Sequence, residues 1–240
     1  MTAQKPQPIL EAHDVITGYG EVDILHGVSA YILPGEMVAI IGPNGAGKST
    51  FLRAIFGLLP LRQGRIIWQG EDISNLRPDQ LVRRGMSYVP QVENVFPNLT
   101  ILENLEMGAF VSKNGFVERI AEIFDLFPDL AGRRGELAGR LSGGQRQMLA
   151  LARALMLKPE MLLLDEPSAS LSPKMVELIF DRIQTINRTG AAILLVEQNA
   201  RHALAICNRA YVFAQGENRL EGEAKSLLAN EEVGRLYLGA

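Results

Sequence analysis

Residues 42–50 read GPNGAGKST and follow directly on the apolar run MVAII at residues 37–41. The stretch has the P-loop pattern, in which a glycine and four further residues precede Gly-Lys-Ser. Glycines let backbone N–H groups converge on phosphate oxygens, and a helix N-terminus adds a partial positive charge. The strand before the stretch and the helix expected after it favour a phosphate-binding loop over a chance glycine-rich turn.

Each part of this loop has a predicted role. Lys48 is predicted to reach the β- and γ-phosphates of a nucleotide, and Ser49 to ligate Mg²⁺. The predicted phosphate-binding residues are Gly42, Pro43, Asn44, Gly45, Ala46, Gly47, Lys48, Ser49 and Thr50.

A second motif, MLLLDEP at residues 161–167, delivers two carboxylates to the end of an apolar run. The carboxyl ends of parallel strands meet at one edge of a sheet, which would place Asp165 and Glu166 beside the P-loop. Asp165 is predicted to hold Mg²⁺ through water, and Glu166 to orient or deprotonate the attacking water. A plain helix N-terminus is the alternative interpretation.

Strand-like and helix-like segments alternate through the rest of the chain, which predicts an α/β fold with a mostly parallel sheet covered on both faces. Two early strands, Ile9–Thr17 and Ile24–Leu33, are separated by a turn at GYGE. Helices are expected after Gly47, after Thr100, after Ser142 and from about Lys174 to Asn187. Thr100 with Glu103 three residues later fits a capping box. A further helix is expected at ARHALAIC, residues 200–207, and short helices are expected at the C-terminal end. In FVERIAEIFDLFP, the spacing of Val117, Ile120, Phe124 and Phe127 predicts one apolar helix face.

The composition limits the possible partners. The 240-residue chain is 47% hydrophobic and 21% charged, has a formal net charge of −3, and has a pI near 5.7. This balance argues against nucleic acid or an anionic membrane as a partner. Cys207 is the single cysteine and is expected to be buried and reduced. The N-terminal residues lack a signal-peptide pattern, and no apolar run has the length of a membrane span.

A third motif, AGRLSGGQ at residues 138–145, places a second glycine corner before a helix. One P-loop encloses the phosphates of a nucleotide on one side only, so a second glycine corner could cover the outer side of the γ-phosphate. A second copy of the chain could supply that glycine corner. Ser142 at the start of an ordinary capped helix is the alternative.

Together LSGGQ, GPNGAGKST and LLLDEP resemble the ATP-binding cassette (ABC) family over essentially the whole chain. The resemblance implies a P-loop NTPase fold with a mostly parallel central sheet, an N-terminal antiparallel β subdomain and an inserted α-helical subdomain. Residues 1–240 would form one ABC ATPase domain, with residues 95–157 as the helical subdomain. ATP and Mg²⁺ would bind in a head-to-tail dimer, where Ser142 and Gly144 contact the γ-phosphate held by the partner.

The same resemblance assigns further positions. Tyr19 in GYG matches the aromatic residue that stacks on adenine, although an ordinary turn tyrosine is also compatible. Gln91 in YVPQ matches the glutamine that senses Mg²⁺ and water. The adjoining segment would form a groove for the membrane subunit, and Phe96 and Leu99 fit this groove and core packing equally well.

The chain departs from the family pattern at two positions. Gln198 stands where the family often has a histidine that bonds the γ-phosphate, and none of the three histidines occupies that position. An amide donates a hydrogen bond but cannot take a proton near neutral pH, so Glu166 would carry any base role alone. Ser172 replaces a frequent aspartate, which bears on communication between the two ATP sites.

VEQNARHAL, YVPQ and the short length resemble the smaller-type ATPase of branched-chain amino acid importers. The resemblance implies transport-coupled ATP hydrolysis at the cytoplasmic face of the membrane. A second ATPase subunit, identical or sister, and integral permease subunits would be partners, with an external solute-binding protein acting indirectly. A urea or short-amide importer, a soluble non-transport ABC ATPase and a scaffold without turnover are the alternatives. The presence of Glu166 argues against the scaffold.

Overall fold

The structure is a computed structural model that describes residues 7–111, 116–230 and 233–234. These residues form two sheets, and the larger sheet carries the P-loop. The strands of the larger sheet are β3 (Met37–Ile41), β6 (Met86–Val89), β7 (Met161–Asp165), β8 (Ala192–Val196), β9 (Arg209–Ala214) and β10 (Glu217–Glu223). Their spatial order is β10-β9-β3-β8-β7-β6, and every adjacent pair is parallel except β9 with β10.

The smaller sheet consists of β1 (Leu10–Tyr19), β2 (Val22–Ile32), β4 (Gln63–Trp68) and β5 (Glu71–Asp72). It is antiparallel and has the order β2-β1-β4-β5. The predicted turn at GYGE is too long, because β1 and β2 pair as far as Tyr19 with Val22. Gly20, with a φ of 56°, and Glu21 alone make the turn, since a left-handed glycine suits a two-residue hairpin loop.

Helices cover the parallel sheet, and all the described helical segments between β6 and β7 lie within residues 95–157, the predicted helical subdomain. The helices are α1 (Lys48–Ile55), α2 (Pro78–Arg83), α3 (Ile101–Gly108), α4 (Phe116–Leu126), α5 (Pro128–Ala131), α6 (Gly143–Ala154), α7 (Pro173–Arg188), α8 (Ala200–Ile206) and α9 (Ala224–Leu228), with a 3₁₀ turn at Ala138–Arg140. Thr100 caps α3 in a reciprocal capping box with Glu103, as predicted. Part of the predicted C-terminal helical region, residues 231–232 and 235–240, lies outside the described residues.

The apolar face of α4 differs from the prediction. Val117 is 73% exposed, whereas Ile123, which the predicted set omitted, is 1% exposed. Ile120, Phe124 and Phe127 do pack toward the core. Phe116, the first residue of α4, also packs against the core, so the apolar face follows residues 116, 120, 123 and 127, and Val117 lies outside it.

Two hydrophobic cores lie on opposite faces of the larger sheet. Alternate residues of β3, β7 and β8 face the antiparallel sheet and α1, while the residues between them face α3, α6, α7 and α8. All residues of these three strands are buried, as expected for parallel strands covered on both faces. Cys207 is buried in one core, and burial raises the pKa of its thiol. Within the described ranges, no helix has the length and apolarity needed to cross a bilayer.

Candidate functional site

The P-loop leaves the end of β3 and leads directly into α1. Gly42 has a φ of 150°, and a Cβ there would lie 2.1 Å from the Phe213 carbonyl oxygen. The Lys48 side chain is buried, and its Nζ donates to the carbonyl oxygens of Gly42 and Pro43 at 2.9 and 3.0 Å. Burial lowers the pKa of Lys48, while Glu166, Asp165 and Glu197 act in the opposite direction. The ammonium group therefore closes the loop from within.

A cavity of about 260 Å³ opens on the loop, lined by Tyr19, Ile24, residues 44–50 and Glu166. Tyr19 ends β1 and is 44% exposed, and its hydroxyl accepts a hydrogen bond from Arg53 at 3.0 Å. Residues 44–50, which include the first turn of α1, line this cavity. The free backbone N–H groups of a helix N-terminus commonly bind phosphate. The structure thus brings Tyr19, the P-loop and Glu166 to one cavity.

Asp165 ends β7 and contacts Ser49 across the site. The Ser49 hydroxyl donates to Asp165 Oδ1 at 2.6 Å, and the Tyr88 hydroxyl donates to Oδ2 at 3.0 Å. Burial and the adjacent Asp165 raise the pKa of Tyr88, so this phenol stays a donor. Mg²⁺ is bound through oxygen, commonly by one or two protein groups together with phosphates. The hydroxyl of Ser49 and the carboxylate of Asp165 fit that ion.

Glu166 lies between a lysine and a glutamine. Its Oε1 is 3.9 Å from Lys48 Nζ, and its Oε2 accepts from Gln91 Nε2 at 2.9 Å. Burial raises the pKa of Glu166, Lys48 opposes this, and Asp165 adds to it. A carboxylate with a raised pKa is a better proton acceptor near neutral pH. The geometry therefore allows Glu166 to act as a base toward water at this site.

Gln198 follows β8 and is exposed on a second cavity of about 310 Å³ that it shares with Glu166, Ser168 and Glu197. The three histidines lie on β1, β2 and α8, and none is among the described residues that line this cavity or the P-loop cavity. Ser172 is the N-cap of α7 without a side-chain capping bond.

The glycine corner of the third motif, AGRLSGGQ at residues 138–145, lies apart from the P-loop cavity. Ser142 is the exposed N-cap of α6 and forms a reciprocal capping box with Gln145. Gly144 is buried, and a Cβ there would lie 2.5 Å from Met175 Cε. No described residue of the 138–155 stretch lines the P-loop cavity.

Sequence reasoning missed two contacts of the site. The hydroxyl of Tyr88, on the neighbouring strand β6, donates a hydrogen bond to Asp165. The sequence signal for this contact was the place of Tyr88 in YVPQ, three residues before the predicted site residue Gln91. Glu197 is 1% exposed, and its carboxylate accepts from the Ser168 N–H and hydroxyl at 3.0 and 2.9 Å. Burial raises the pKa of Glu197 to about 7 despite these bonds. A glutamate directly after an apolar strand was the available signal here.

Known proteins resemble this chain over most of its length. The probable branched-chain amino acid transport ATP-binding protein LivF of Archaeoglobus fulgidus is 45% identical, over 92% of this chain and 95% of the relative. The high-affinity branched-chain amino acid transport ATP-binding protein BraG of Pseudomonas aeruginosa is 41% identical, over 96% and 100%. The lipopolysaccharide export system ATP-binding protein LptB of Escherichia coli is 34% identical, over 96% and 97%.

Solved structures share the fold. The ADP conformation of MJ1267, an ATP-binding cassette of an ABC transporter, superposes with a TM-score of 0.87 at 30% identity, covering 98% of this chain and all of that one. A dimeric post-hydrolysis state of the cassette MJ0796, bound to ADP and Pi, gives a TM-score of 0.80 at 28% identity, covering 90% and 98%.

A P-loop between a parallel strand and a helix, beside a strand-terminal carboxylate pair, defines a nucleoside triphosphatase of the P-loop class. Residues 25–169 match the family described as ABC transporter. The chain belongs to the ABC transporter family and is an ATP-binding ATPase of that family. The resemblance to this family and the predicted fold class are confirmed.

Proposed function

We propose that the chain is the ATP-hydrolysing subunit of an importer for branched-chain amino acids. The observation that carries this proposal is the identity of 45% and 41% to LivF and BraG over nearly the whole chain. The proposal includes residues 1–240 as one ABC ATPase domain, with residues 95–157 as its helical subdomain.

In this proposal the P-loop amides and Lys48 bind the phosphates of ATP, and Tyr19 stacks on adenine. Ser49, Gln91 and Asp165 hold Mg²⁺, which would neutralise phosphate charge when bound. The contact between Ser49 and Asp165 supports this assignment, because it already pairs two oxygen ligands. The exposed edge of Tyr19 on the cavity supports the adenine site.

Glu166 is proposed to orient and deprotonate the attacking water, with Gln91 holding the carboxylate in place. Gln198 is proposed to donate a hydrogen bond to the γ-phosphate. Its exposed position beside Glu166 supports that role. Because an amide cannot take the proton, Glu166 is left as the base.

Ser142 and Gly144 are proposed to complete the ATP site of a second ATPase subunit in a head-to-tail dimer. The exposure of the Ser142 corner, outside the chain's own P-loop cavity, supports this arrangement. The dimeric state of the similar cassette MJ0796 supports it further. The partner subunit is a second copy or a sister ATPase.

Permease subunits are proposed to hold the chain at the cytoplasmic face of the membrane, with an external solute-binding protein acting through them. Exposed apolar side chains near Gln91, on α3 and just after it, and on α4 support a docking surface there; they are Val92, Phe96, Met107, Phe110 and Val117. The guanidinium carbon of Arg153 lies 4.9 Å from the centroid of the Phe96 ring, a cation–π contact. Leu99 is half-buried beside them.

Two other cargoes are weighed against this proposal. A urea or short-amide importer would use the same motor. Lipopolysaccharide export is a candidate because LptB is also similar, but its lower identity of 34% favours amino acid import.

The test is solute uptake in the organism that encodes the chain. We expect deletion of its coding sequence to abolish uptake of radiolabelled leucine, isoleucine and valine, and a plasmid copy to restore it. A copy carrying Lys48→Ala should not restore uptake. Unchanged leucine uptake with lost urea or acetamide uptake would replace the cargo, and lipopolysaccharide retained at the inner membrane would indicate export.

A further inference from the structure

Glu197 is buried at the end of β8, and both of its carboxylate oxygens bind one residue of the segment after Glu166. Oε1 accepts from the Ser168 backbone N–H at 3.0 Å, and Oε2 accepts from the Ser168 hydroxyl at 2.9 Å. Ser168 is 8% exposed, so little water competes for these bonds. The same carboxylate also accepts from the backbone N–H of Asn199. A buried carboxylate that binds both the N–H and the hydroxyl of one serine fixes the position of that serine.

The segment requires such an anchor because the backbone of Glu166 is strained. Glu166 has a φ of 45°, in the left-handed region that residues with side chains avoid. The end of β8 holds this conformation from both sides. The Glu166 N–H donates to the Val196 carbonyl oxygen at 2.9 Å, and Glu197 binds Ser168 two residues further along.

We propose that Glu197 is a positioning residue for ATP hydrolysis. By binding Ser168 it keeps residues 166–168 in the conformation that directs the Glu166 carboxylate at Gln91 and toward Lys48. It acts through Glu166 and does not touch the nucleotide. The inference rests on the proposed catalytic role of Glu166.

The first variant, Glu197→Ala, removes both bonds to Ser168 and the bond from the Asn199 N–H, and it leaves the P-loop intact. The Ser168→Ala variant leaves the Asn199 bond in place and so isolates the link to Ser168. We expect its kcat to fall by about tenfold or more, because small displacements of a catalytic group are costly. The KM for ATP should stay within about twofold, since Lys48 and the loop amides are unchanged. Phosphate release over a range of ATP concentrations measures both constants.

Glu197→Gln is the conservative rescue. Its amide oxygen can accept from the Ser168 N–H while its NH₂ donates to the hydroxyl oxygen, so both links persist. We expect it to keep at least about half of the wild-type kcat. A Gln variant as slow as Glu197→Ala would overturn the proposal, because the hydrogen bonds would then not be what positions Glu166.

Ser168→Ala removes the hydroxyl bond alone and serves if Glu197→Ala does not fold. We expect a kcat about threefold lower, and no further loss of kcat when Ser168→Ala is added to the Glu197→Ala variant. Ile193→Val, a buried change in the same strand, is the stability control and should lower the melting temperature without lowering kcat. A wild-type kcat in Glu197→Ala, or in Ser168→Ala where Glu197→Ala does not fold, would overturn the inference.

The same variants distinguish a failure of the positioning role of Glu197 from a failure of the catalytic role of Glu166 on which it rests. If Glu166→Gln still hydrolyses ATP, the proposed role of Glu166 fails. If Glu166→Gln is inactive while Glu197→Ala hydrolyses ATP normally, only the positioning role of Glu197 fails.

Discussion

Glu166 combines a strained backbone with a carboxylate held between Lys48 and Gln91. Strain of this kind persists only where the surroundings fix it, and it is common at catalytic positions. The pKa of Glu166 is raised, by burial first, and a raised pKa makes a carboxylate a better proton acceptor, which fits its proposed role as a base. Among the residues of the site, we therefore expect Glu166 to be the one at which replacing a single carboxylate oxygen lowers the rate of ATP hydrolysis most.

We expect Glu166→Gln to lower the rate of phosphate release by about a hundredfold or more, since an amide cannot accept the proton of the attacking water. ATP affinity should stay within about threefold, because the phosphate-binding loop is untouched. Equilibrium binding of a fluorescent ATP analogue checks the second point. Glu177→Gln, an exposed glutamate on α7, is the matched control. Sustained phosphate release by Glu166→Gln would contradict this role.

Glu197 makes folding stability depend on pH. Its pKa is about 7 in the folded chain against an ordinary value of 4.5, so the folded state binds the proton more tightly than the unfolded state. Stability from this group is therefore complete below pH 4.5 and is lost as the pH rises through 7.

We expect Glu197→Gln, which does not titrate, to gain stability relative to the wild type as the pH rises from about 4.5 to about 8. At about 1.4 kcal/mol per pH unit, the gain should reach about 3 kcal/mol. Urea unfolding of both proteins across this range measures it. A stability difference that does not change with pH would show that Glu197 has an ordinary pKa in the fold.

At the level of the secondary-structure element, α4 shows that apolar spacing predicts a helix but does not by itself predict which of its residues are buried. Ile123 is fully packed, and Val117 is almost wholly exposed on the same helix. We expect Ile123→Ala to lower the free energy of unfolding by about 3 kcal/mol through the cavity it leaves. Val117→Ala removes a similar apolar group and should change it by less than about 0.5 kcal/mol. Urea unfolding distinguishes them, and equal losses would place both residues in the core.

Element types followed from the sequence wherever one local rule decides them. The P-loop pattern set the start of α1, and the capping-box pattern of Thr100 with Glu103 set the start of α3. Ser142 marked the start of α6 as an N-cap residue, and its capping box with Gln145 was seen only in the structure. The face of α4 did not follow, because several registers of an apolar helix satisfy the same spacing and only packing selects one. The short helices α2 and α5 were missed because they are too brief to show a period.

Across the whole molecule, sequence reasoning reached the parallel sheet and the convergence of Asp165 and Glu166 on the P-loop, because strand ends share one edge. It did not reach Tyr88 with Asp165 or Ser168 with Glu197, which depend on strand order and on side chains buried between segments distant in sequence. Whether the exposed glycine corner at Ser142 completes the ATP site of a second chain depends on the dimer, which the structure of a single chain does not contain.

If each ATP site is shared between two chains, two inactive variants should restore each other. We expect Lys48→Ala and Ser142→Arg to be inactive separately, the first through lost phosphate binding and the second through a side chain that blocks the partner's site. A mixed dimer would pair the intact P-loop of one with the intact glycine corner of the other. An equimolar mixture should therefore regain up to about a quarter of the wild-type rate when dimers assort at random.

The matched control separates sharing from simple mixing. Lys48→Ala and Glu166→Gln damage the same half of the site, so neither site of their mixed dimer is complete, and their mixture should stay inactive. Ser142→Arg should still bind a fluorescent ATP analogue as a lone subunit, because its own P-loop is intact. Phosphate release from the three single proteins and two mixtures measures the outcome. If Lys48→Ala and Ser142→Arg stay inactive together while each still dimerises, the glycine corner does not serve the partner's nucleotide.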